Sequence, residues 1–318
     1  MRIRKFRDHL VRNLRNHLWR AWSARLGRLA YCAALATLSA TVFAEIRVTD
    51  DGGHAVTLQR PAQRIISMAP HVTELLFTAG AGDRIVGTIR YSDYPPAALA
   101  IPRIGDSFAL DSERVISLKP DLIVVWLHGN SEGQLEQLRR LGIPVFSSEP
   151  RRLADIASTL RRFGRLAGTG EISENAAAKF EQRVSALRSR YAARPAVPVF
   201  YQIAERPLLT INREHIIDDV IRVCGGRNIF SNLGALTPMV SPEAVLAANP
   251  EAIVTSGGEA GNAIGFGIWS KLPSLLATRR QNFVLLNSDT ISRQSDRILD
   301  GTQALCDELE RVRARRKS

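Results

Sequence analysis

The sequence lacks the short motifs that mark the common classes of enzyme. It contains no phosphate-binding Walker loop, no dinucleotide-binding glycine fingerprint, no G-x-S-x-G nucleophile elbow and no H-E-x-x-H zinc motif. The glycine-rich stretch Gly257–Gly267 lacks the Lys-Ser/Thr pair that would hold phosphates, so we interpret it as a loop. These absences argue against an enzyme of any of these classes and favour a binding function.

Cysteine is scarce, with three residues in 318. Cys32 lies in an N-terminal apolar stretch, which leaves Cys224 and Cys306 for the rest of the chain. An isolated pair in an oxidising compartment is typically bridged, and two buried thiols are the alternative. A bridge would close a loop of about 80 residues, for which the chain-entropy model gives about 4.5 kcal/mol as an upper guide. Two cysteines this far apart do not resemble a zinc site, and no metal site is predicted.

Long apolar runs are also missing, since none reaches the ~20 residues that a membrane-spanning helix requires. The apolar run Leu29–Leu38 follows a basic region, and the small residues Val42 and Ala44 precede Glu45. This order predicts that residues 1–44 are a signal peptide with an extended basic region and that the protein is periplasmic. An uncleaved anchor and a start site placed too early are the alternatives.

Positive charge is concentrated at the two ends of the chain. The net charge is +12, but residues 1–44 hold nine basic side chains and one acidic one, and residues 311–318 hold five basic ones. Residues 45–310 hold 29 basic and 30 acidic side chains. Because a nucleic-acid-binding fold usually carries its basic stripe on the folded body, no nucleic-acid partner is predicted. We interpret the basic tail 311–318 as a solvated, frayed helix end.

Two segments repeat each other without gaps, 130 residues apart: Asp111–Val124 aligns with Ser241–Val254. Each begins with a helix-capping residue and carries a glutamate two positions later, Glu113 in the first copy and Glu243 in the second. A proline then ends the short helix, and a buried apolar strand begins. A repeat with this long period predicts two similar structural units that present a glutamate at the same place.

Strand-like runs alternate with helical patterns on either side of one long helical stretch, which is typical of an α/β protein with parallel sheets. The central stretch has no glycine or proline after Gly170 and predicts a single stiff helix. The predicted organisation is an N-terminal α/β lobe at 45–167, a connecting helix at 168–194 and a C-terminal α/β lobe at 195–310.

Aromatic and polar residues gather at predicted strand ends, where open α/β sheets bind their ligands. The patterns around them resemble those of the periplasmic vitamin B12-binding proteins, which belong to the class III solute-binding proteins of ABC importers. The patterns are Tyr91–Pro96, Leu118–Trp126, Gly129-Asn130, Val223–Phe230 and Ser288-Asp289. The resemblance covers residues 62–310. It implies two Rossmann-like lobes with central parallel sheets, joined by one long rigid α-helix, with the ligand in the cleft between them.

The resemblance also implies roles for individual residues. Tyr91 and Trp126 resemble the aromatic contacts that the N-terminal lobe makes to the corrin, and Asp289 and Arg293 resemble polar contacts from the C-terminal lobe. Two family tryptophans are absent, because Ser107 and Thr237 occupy their places. The remaining predicted ligand-binding residues are Phe108, which lies beside the first of these places, and Ile203 and Leu209, which lie where a second-lobe aromatic is expected.

Further implied features concern transport. Glu113 and Glu243 resemble the two acids that engage arginines of an ABC transporter permease dimer in the inner membrane, and Cys224 and Cys306 match the family disulfide. The implied function is that of a monomeric extracytoplasmic protein that captures cobalamin and delivers it to the importer. It is not an enzyme, and cobalamin is its bound ligand rather than a catalytic cofactor.

Other interpretations stay open for several of these residues. Trp126 could be a core residue, and Asp289 could cap a helix and pair with Arg293 at i+4. Glu113 and Glu243 could serve only the helix dipole.

The ligand has alternatives too, since the same scaffold could bind an iron-siderophore, or haem with Tyr91 or His71 near iron and Arg293 on a propionate. His71 and His128 could instead be ordinary surface histidines, or an axial ligand to a metal in the cleft. A hydrolase that uses His71 and Asp93 is the rival from another class.

Overall fold

Two four-stranded β-sheets, one in each half of the chain, form the framework of the protein. The computed structural model describes residues 45–106, 109–257 and 265–316. These residues form twelve strands: β1 (Ile46–Thr49), β2 (Ala55–Leu58), β3 (Ile65–Ser67), β4 (Ile85–Thr88), β5 (Leu122–Trp126), β6 (Val145–Ser148), β7 (Val197–Gln202), β8 (Ala204–Glu205), β9 (Leu208–Leu209), β10 (Gly226–Asn228), β11 (Ala252–Gly257) and β12 (Phe283–Asn287). All strand pairs within the two large sheets are parallel, whereas β1–β2 and β8–β9 are antiparallel hairpins.

The two sheets have the same topology. The strand order is β4-β3-β5-β6 in the first sheet and β10-β7-β11-β12 in the second. If the four strands of each sheet are numbered 1 to 4 along the chain, both sheets have the order 2-1-3-4. The sequence repeat ends in β5 and in β11, which are the third strands of their sheets. The predicted α/β class with two similar parallel-sheet lobes is therefore confirmed.

Helices fill the connections between strands. Those in the described residues are α1 (Pro70–Thr78), α2 (Ser112–Ser117), α3 (Glu132–Arg140), α4 (Leu153–Ala167), α5 (Gly170–Tyr191), α6 (Ile216–Val223), α7 (Pro242–Ala248), α8 (Leu276–Arg279), α9 (Ser288–Ile291) and α10 (Ile298–Ala314). Short 3-10 turns occur at Gly82–Arg84, Pro96–Ala100 and Trp269–Lys271. We call the first sheet with α1–α4 the N-terminal lobe and the second sheet with α6–α10 the C-terminal lobe.

The two helices of the sequence repeat begin with the predicted caps. Asp111 accepts a hydrogen bond from the backbone N–H of Arg114 at 2.9 Å, and Ser241 accepts one from that of Ala244 at 3.2 Å. These bonds satisfy N–H groups that the first turn of a helix leaves without a partner. Both helices end just before a proline, and a buried strand follows each. The repeat thus encodes the same helix–strand unit in both lobes.

Helix α5 lies between the two lobes in chain order and occupies most of the predicted range 168–194. Its buried positions include Phe180, Val184, Leu187 and Tyr191, which recur at helical spacing and form one apolar face. This face packs beside α4 of the N-terminal lobe and also contacts α6 and α10 of the C-terminal lobe. The helix therefore contacts both lobes along its length.

The main apolar core continues through both lobes. One cluster of buried residues contains side chains from the first sheet, from α5 and from the second sheet. Two smaller clusters cover the opposite faces of the sheets. In β5, Val124 belongs to the main core and Val125 to a smaller cluster, as expected for a strand buried on both faces.

The predicted disulfide is present and joins two elements of the C-terminal lobe. Cys224 follows α6, Cys306 lies in α10, and both are fully buried. The bond closes a loop with a sequence separation of 82 residues.

The interpretation of residues 311–318 as a solvated, frayed end is wrong for the described part of this tail. Helix α10 continues to Ala314, and the Arg313 side chain, 8% exposed, donates hydrogen bonds to the carbonyls of Pro195, Cys224 and Gly225. Arg316 donates to the Glu251 carboxylate. The charge pattern could not predict this, because these acceptors lie far away in sequence.

Two further predictions lie outside the described residues: the signal peptide at 1–44 and the tail residues 317 and 318. Among the residues that the structure does describe, no helix has the length and apolar character needed to cross a bilayer.

Candidate functional site

The carboxyl ends of the parallel strands carry most of the residues that the sequence singles out. In the N-terminal lobe, α1 follows β3, the loop Tyr91–Pro96 follows β4, and Trp126 ends β5. In the C-terminal lobe, α9 and the turn after it follow β12. Apart from Trp126, these segments contribute to a network of polar side chains from both lobes, which we call the interlobe cluster: Glu74, Asp93, Asp289, Arg293, Ser295 and Arg297.

Arg293 is at the centre of the interlobe cluster. Its side chain is 14% exposed, and Nη1 donates to Glu74 Oε1 at 2.8 Å and to Asp93 Oδ1 at 2.7 Å. Nη2 lies 2.9 Å from Asp289 Oδ1, which is the predicted i+4 pair. Burial disfavours the charged guanidinium, but the hydrogen bonds that it donates to Asp93 and Glu74 outweigh burial, so the pKa of Arg293 is raised overall.

The two N-terminal-lobe acids of the cluster lie in different surroundings. The Glu74 side chain is 1% exposed, and burial raises its pKa despite hydrogen bonds from Ser295 and Arg293. Asp93 is about half exposed. Its partial burial also acts to raise its pKa, but the hydrogen bond and the charge of Arg293 lower the pKa overall. Both carboxylates are thus anchored by a guanidinium from the other lobe.

Trp126 rests on the turn that follows its own strand. Its indole is half-buried, its backbone N–H donates to Asn130 Oδ1 at 2.9 Å, and a Cβ added to Gly129 would lie 1.7 Å from Trp126 Cε3. Only glycine leaves room for the indole there. This contact explains why Gly129 and Asn130 accompany Trp126 in the sequence pattern.

His71 is buried at the start of α1 against Trp126, with ring centroids 5.4 Å apart in an edge-to-face arrangement. Among the described residues, His71 Nε2 and Trp126 Nε1 have no hydrogen-bond partner. The surface interpretation of His71 is therefore wrong, since its side chain points into the interior. His128 has an exposed ring that lies 3.1 Å from Glu149. A role for either histidine as an axial ligand stays a prediction.

Two buried histidines predict a loss of stability in acid. The pKa of His71 is lowered to about 3 by burial and by the charge of Arg293, and the pKa of His215 is lowered to about 4 by burial. An unfolded histidine titrates near pH ~6.5, so below that pH the unfolded chain takes up protons that the folded chain does not. The free energy of unfolding is expected to fall by ~1.4 kcal/mol per pH unit for each histidine between pH ~6.5 and ~4.

Urea unfolding of the wild type, His71→Asn and the exposed-site control His54→Asn across this pH range would measure the effect. Burial raises the pKa values of Glu74 and Asp296, so the folded protein protonates these acids before the unfolded chain does and part of the stability loss is offset as the pH falls. The slopes of stability against pH are therefore compared among the three proteins, rather than their absolute stabilities. We expect a shallower slope for His71→Asn alone. An equal slope in all three proteins would contradict the assignment.

The other predicted ligand residues differ in accessibility. Tyr91 is 66% exposed, has a φ of 67° and lies under the Arg90 guanidinium. Ile203 immediately precedes β8 and Leu209 lies in β9; both are half-buried, and the Ile203 N–H donates to the Leu209 carbonyl at 2.9 Å. Phe108 lies outside the described residues.

Glu113 and Glu243 are both exposed in the first turns of α2 and α7, at the positions that the repeat predicts. Hydrogen bonds from its own backbone and from Ser241 lower the pKa of Glu243. No ion pair holds either carboxylate to another residue in the described part of the chain. Both acids are therefore accessible to a partner.

The sequence did not identify Glu74, Ser295 or Arg297 as parts of the site. Glu74 meets its partners at sequence separations of 219 to 223 residues, so no local pattern indicates these contacts. The described residues contain no group of three or more His, Cys, Asp or Glu side chains placed to hold a metal ion.

Comparisons with known proteins agree with this architecture. Residues 65–273 match the family model described as "Periplasmic binding protein". The Vitamin B12-binding protein of Vibrio cholerae serotype O1 is 37% identical over 246 residues, which cover 77% of this chain and 88% of that relative.

Solved structures show the same likeness. The periplasmic Vitamin B12 binding protein BtuF of Vibrio cholerae superposes with a TM-score of 0.72 at 36% identity and covers 80% of this chain and 98% of its own. The periplasmic heme-binding protein RhuT from Roseiflexus sp. RS-1 has a TM-score of 0.68 at 24% identity, with 79% of this chain and 99% of its own covered. At that identity the second likeness concerns the fold alone.

Proposed function

Because this chain belongs to the periplasmic binding protein family, we propose that it captures cobalamin between its two lobes and delivers it to an ABC importer of the inner membrane. It is a periplasmic solute-binding protein rather than an enzyme, and cobalamin is its cargo. The observation that carries the ligand assignment is the 37% identity to a vitamin B12-binding protein over most of both chains.

The arrangement of the chain supports a cleft between two lobes. We propose the N-terminal lobe at 45–167, the connecting helix at 168–194 and the C-terminal lobe at 195–310. The two sheets share one topology, and the carboxyl ends of their strands carry the aromatic and charged side chains. Ligands of open α/β sheets bind at this edge. The continuous apolar core and the α5 contacts favour a largely pre-formed cleft with a small closing motion.

The chemistry of the site suits a corrinoid. A corrin is a broad and mostly apolar disc, which the exposed Tyr91 ring and the half-buried Trp126 indole can cover from the N-terminal lobe. Amide groups surround such a disc, and the half-exposed carboxylate of Asp289 can accept hydrogen bonds from them. Arg293 orients that carboxylate, and the charge of Arg293 is balanced by its ion pairs with Glu74, Asp93 and Asp289.

Replacing Trp126 by alanine is expected to weaken the binding of cyanocobalamin by ~1–3 kcal/mol, because a large apolar side chain no longer covers the ligand. Isothermal titration calorimetry of the purified periplasmic protein measures the change. Trp126→Phe is the matched variant and should retain part of the affinity, since it keeps an aromatic ring above Gly129. The ligand assignment would be wrong if the wild type did not bind cyanocobalamin, and the role of Trp126 would be wrong if its alanine variant bound equally well.

Haem or an iron-siderophore on the same scaffold is the alternative cargo. The observation that favours haem is the His71 Nε2 beside Trp126, which has no hydrogen-bond partner among the described residues, because an imidazole nitrogen can ligate iron. Protein purified with its natural ligand would distinguish these cases by its absorption spectrum, since corrinoid and haem have different bands.

We further propose that the protein docks as a monomer on the permease dimer through Glu113 and Glu243. Their equivalent places in two lobes of equal topology, their exposure and the lack of an ion-pair partner among the described residues support this role. A permease dimer presents two equivalent surfaces, and two equivalent acids on one chain match that symmetry.

A further inference from the structure

The Arg293–Arg297 segment of the C-terminal lobe binds the N-terminal lobe through several side chains. In addition to the contacts of Arg293, Thr78 Oγ1 donates to Asp296 Oδ1 at 3.0 Å, and the Arg297 guanidinium lies 3.8 Å from the centre of the Tyr94 ring. The lobes are therefore joined by a polar interface as well as by α5 and the shared apolar core.

Glu74 is the acceptor on which these contacts converge. Its Oε1 accepts from Arg293 at 2.8 Å and from Arg297 at 3.3 Å, and its Oε2 accepts from the Ser295 hydroxyl at 2.5 Å. All three donors come from the C-terminal lobe, whereas Glu74 lies in α1 of the N-terminal lobe. Both carboxylate oxygens are thus bonded across the interface between the lobes.

The other two carboxylates that bind Arg293 cannot replace Glu74. Asp289 lies four residues from Arg293 in the same lobe, so its ion pair does not join the lobes. Asp93 does join them, but it is about half exposed, and water screens an exposed pair strongly. Glu74 is the buried acid of the interlobe cluster, where a charge that loses its partner is most unfavourable.

We propose that Glu74 is a positioning residue: it holds Arg293 in its binding orientation and fixes the C-terminal lobe against α1, without touching the ligand. Its effect on binding rests on the proposed cobalamin function, whereas its effect on the lobes does not. A long arginine side chain loses conformational freedom when it is ordered, and ordering it before the ligand arrives removes that cost from binding. The Glu74 carboxylate supplies this order in the ligand-free protein.

The first experiment measures amide hydrogen exchange in the ligand-free protein. Glu74→Gln keeps the shape of the side chain and removes its charge, and Glu174→Gln is the control because Glu174 forms an exposed ion pair with Arg161 outside the cluster. We expect exchange of segments 91–96 and 289–297 to rise at least tenfold in Glu74→Gln, with the sheets unchanged, and no change in the control. Unchanged exchange in these segments, or a uniform rise across the whole protein, would overturn the proposal.

The second experiment measures cyanocobalamin affinity in a double-mutant cycle of Glu74→Gln and Arg293→Gln. Hydrogen bonds to charged groups contribute enough that Glu74→Gln alone should weaken binding roughly tenfold. If Glu74 acts through Arg293, the Glu74→Gln substitution should cause little further loss of affinity in a protein that already carries Arg293→Gln. Fully additive losses would overturn the proposal, because a residue with only a general structural role has the same effect in both backgrounds.

Failure of the proposed function is distinguishable from failure of this inference. If the wild type does not bind cyanocobalamin, the cobalamin assignment fails, while the exchange experiment still decides whether Glu74 fixes the lobes. If Glu74→Gln does not fold, Ser295→Ala removes one donor of the same contact from the other lobe. The same local rise in exchange is then expected at segment 289–297, and its absence would count against the proposal.

Discussion

Reversing both exposed glutamates, Glu113→Arg together with Glu243→Arg, is expected to reduce binding to the importer at least a hundredfold and to abolish uptake. The reason is electrostatic, because under the proposed docking the permease arginines that the family resemblance implies would face arginines on the binding protein, and such a juxtaposition costs several kcal/mol. Each single reversal should give part of the loss. Cobalamin affinity should stay nearly unchanged, since the two residues lie in α2 and α7 and neither belongs to the interlobe cluster.

Binding to the transporter in detergent or nanodiscs and uptake in cells provide the two measurements. Glu171→Arg is the matched control, because Glu171 is also an exposed acid in the first turn of a helix but has no counterpart in the repeat. The Glu171→Arg variant loses only the favourable interaction between an acid and its helix dipole, an effect below about 1 kcal/mol at an exposed site. Normal transporter binding by the double variant would mean that the two acids serve only their own helices.

Reduction of the Cys224–Cys306 bond is expected to lower the free energy of unfolding by up to about 4.5 kcal/mol, because the unfolded chain regains the freedom of a long loop. The bond ties the residue after α6 to the middle of α10, and both sulfurs are fully buried. Chemical unfolding of the periplasmic protein with and without reductant measures the loss, and the melting temperature should fall with it.

The variant Cys224→Ala with Cys306→Ala is the control for this prediction. It should match the reduced wild type in stability and should not respond to reductant. Protein folded in the periplasm should show neither of these two cysteines as a free thiol when it is unfolded without reductant. Two titratable thiols at these positions would contradict the disulfide.

Local interactions explain why much of the fold could be predicted from the sequence. The caps Asp111 and Ser241, the prolines after α2 and α7 and the apolar strands that follow act within a few residues of one another. Their repetition was enough to predict two equivalent lobes. The resemblance to vitamin B12-binding proteins added the cleft, the disulfide and the candidate contacts.

Contacts between distant residues explain where the predictions were wrong or incomplete. The charge pattern predicts a solvated tail, yet Arg313 and Arg316 donate to acceptors that lie 65 to 120 positions away in the C-terminal lobe. His71 is a polar residue with no local sign of burial, and only its packing against Trp126 places it in the interior.

The sequence by itself therefore determined the α/β class, the two-fold repetition, the exposed acids at equivalent helix starts and the cysteine pair, because each depends on local spacing or composition. Only the tertiary structure decided that Arg293 is held by acids from both lobes and that Glu74 joins those lobes. Burial and long-range pairing set these properties. In the sequence, Glu74 is indistinguishable from an ordinary helical residue. In the folded protein it is buried and accepts hydrogen bonds from donors more than 200 positions away.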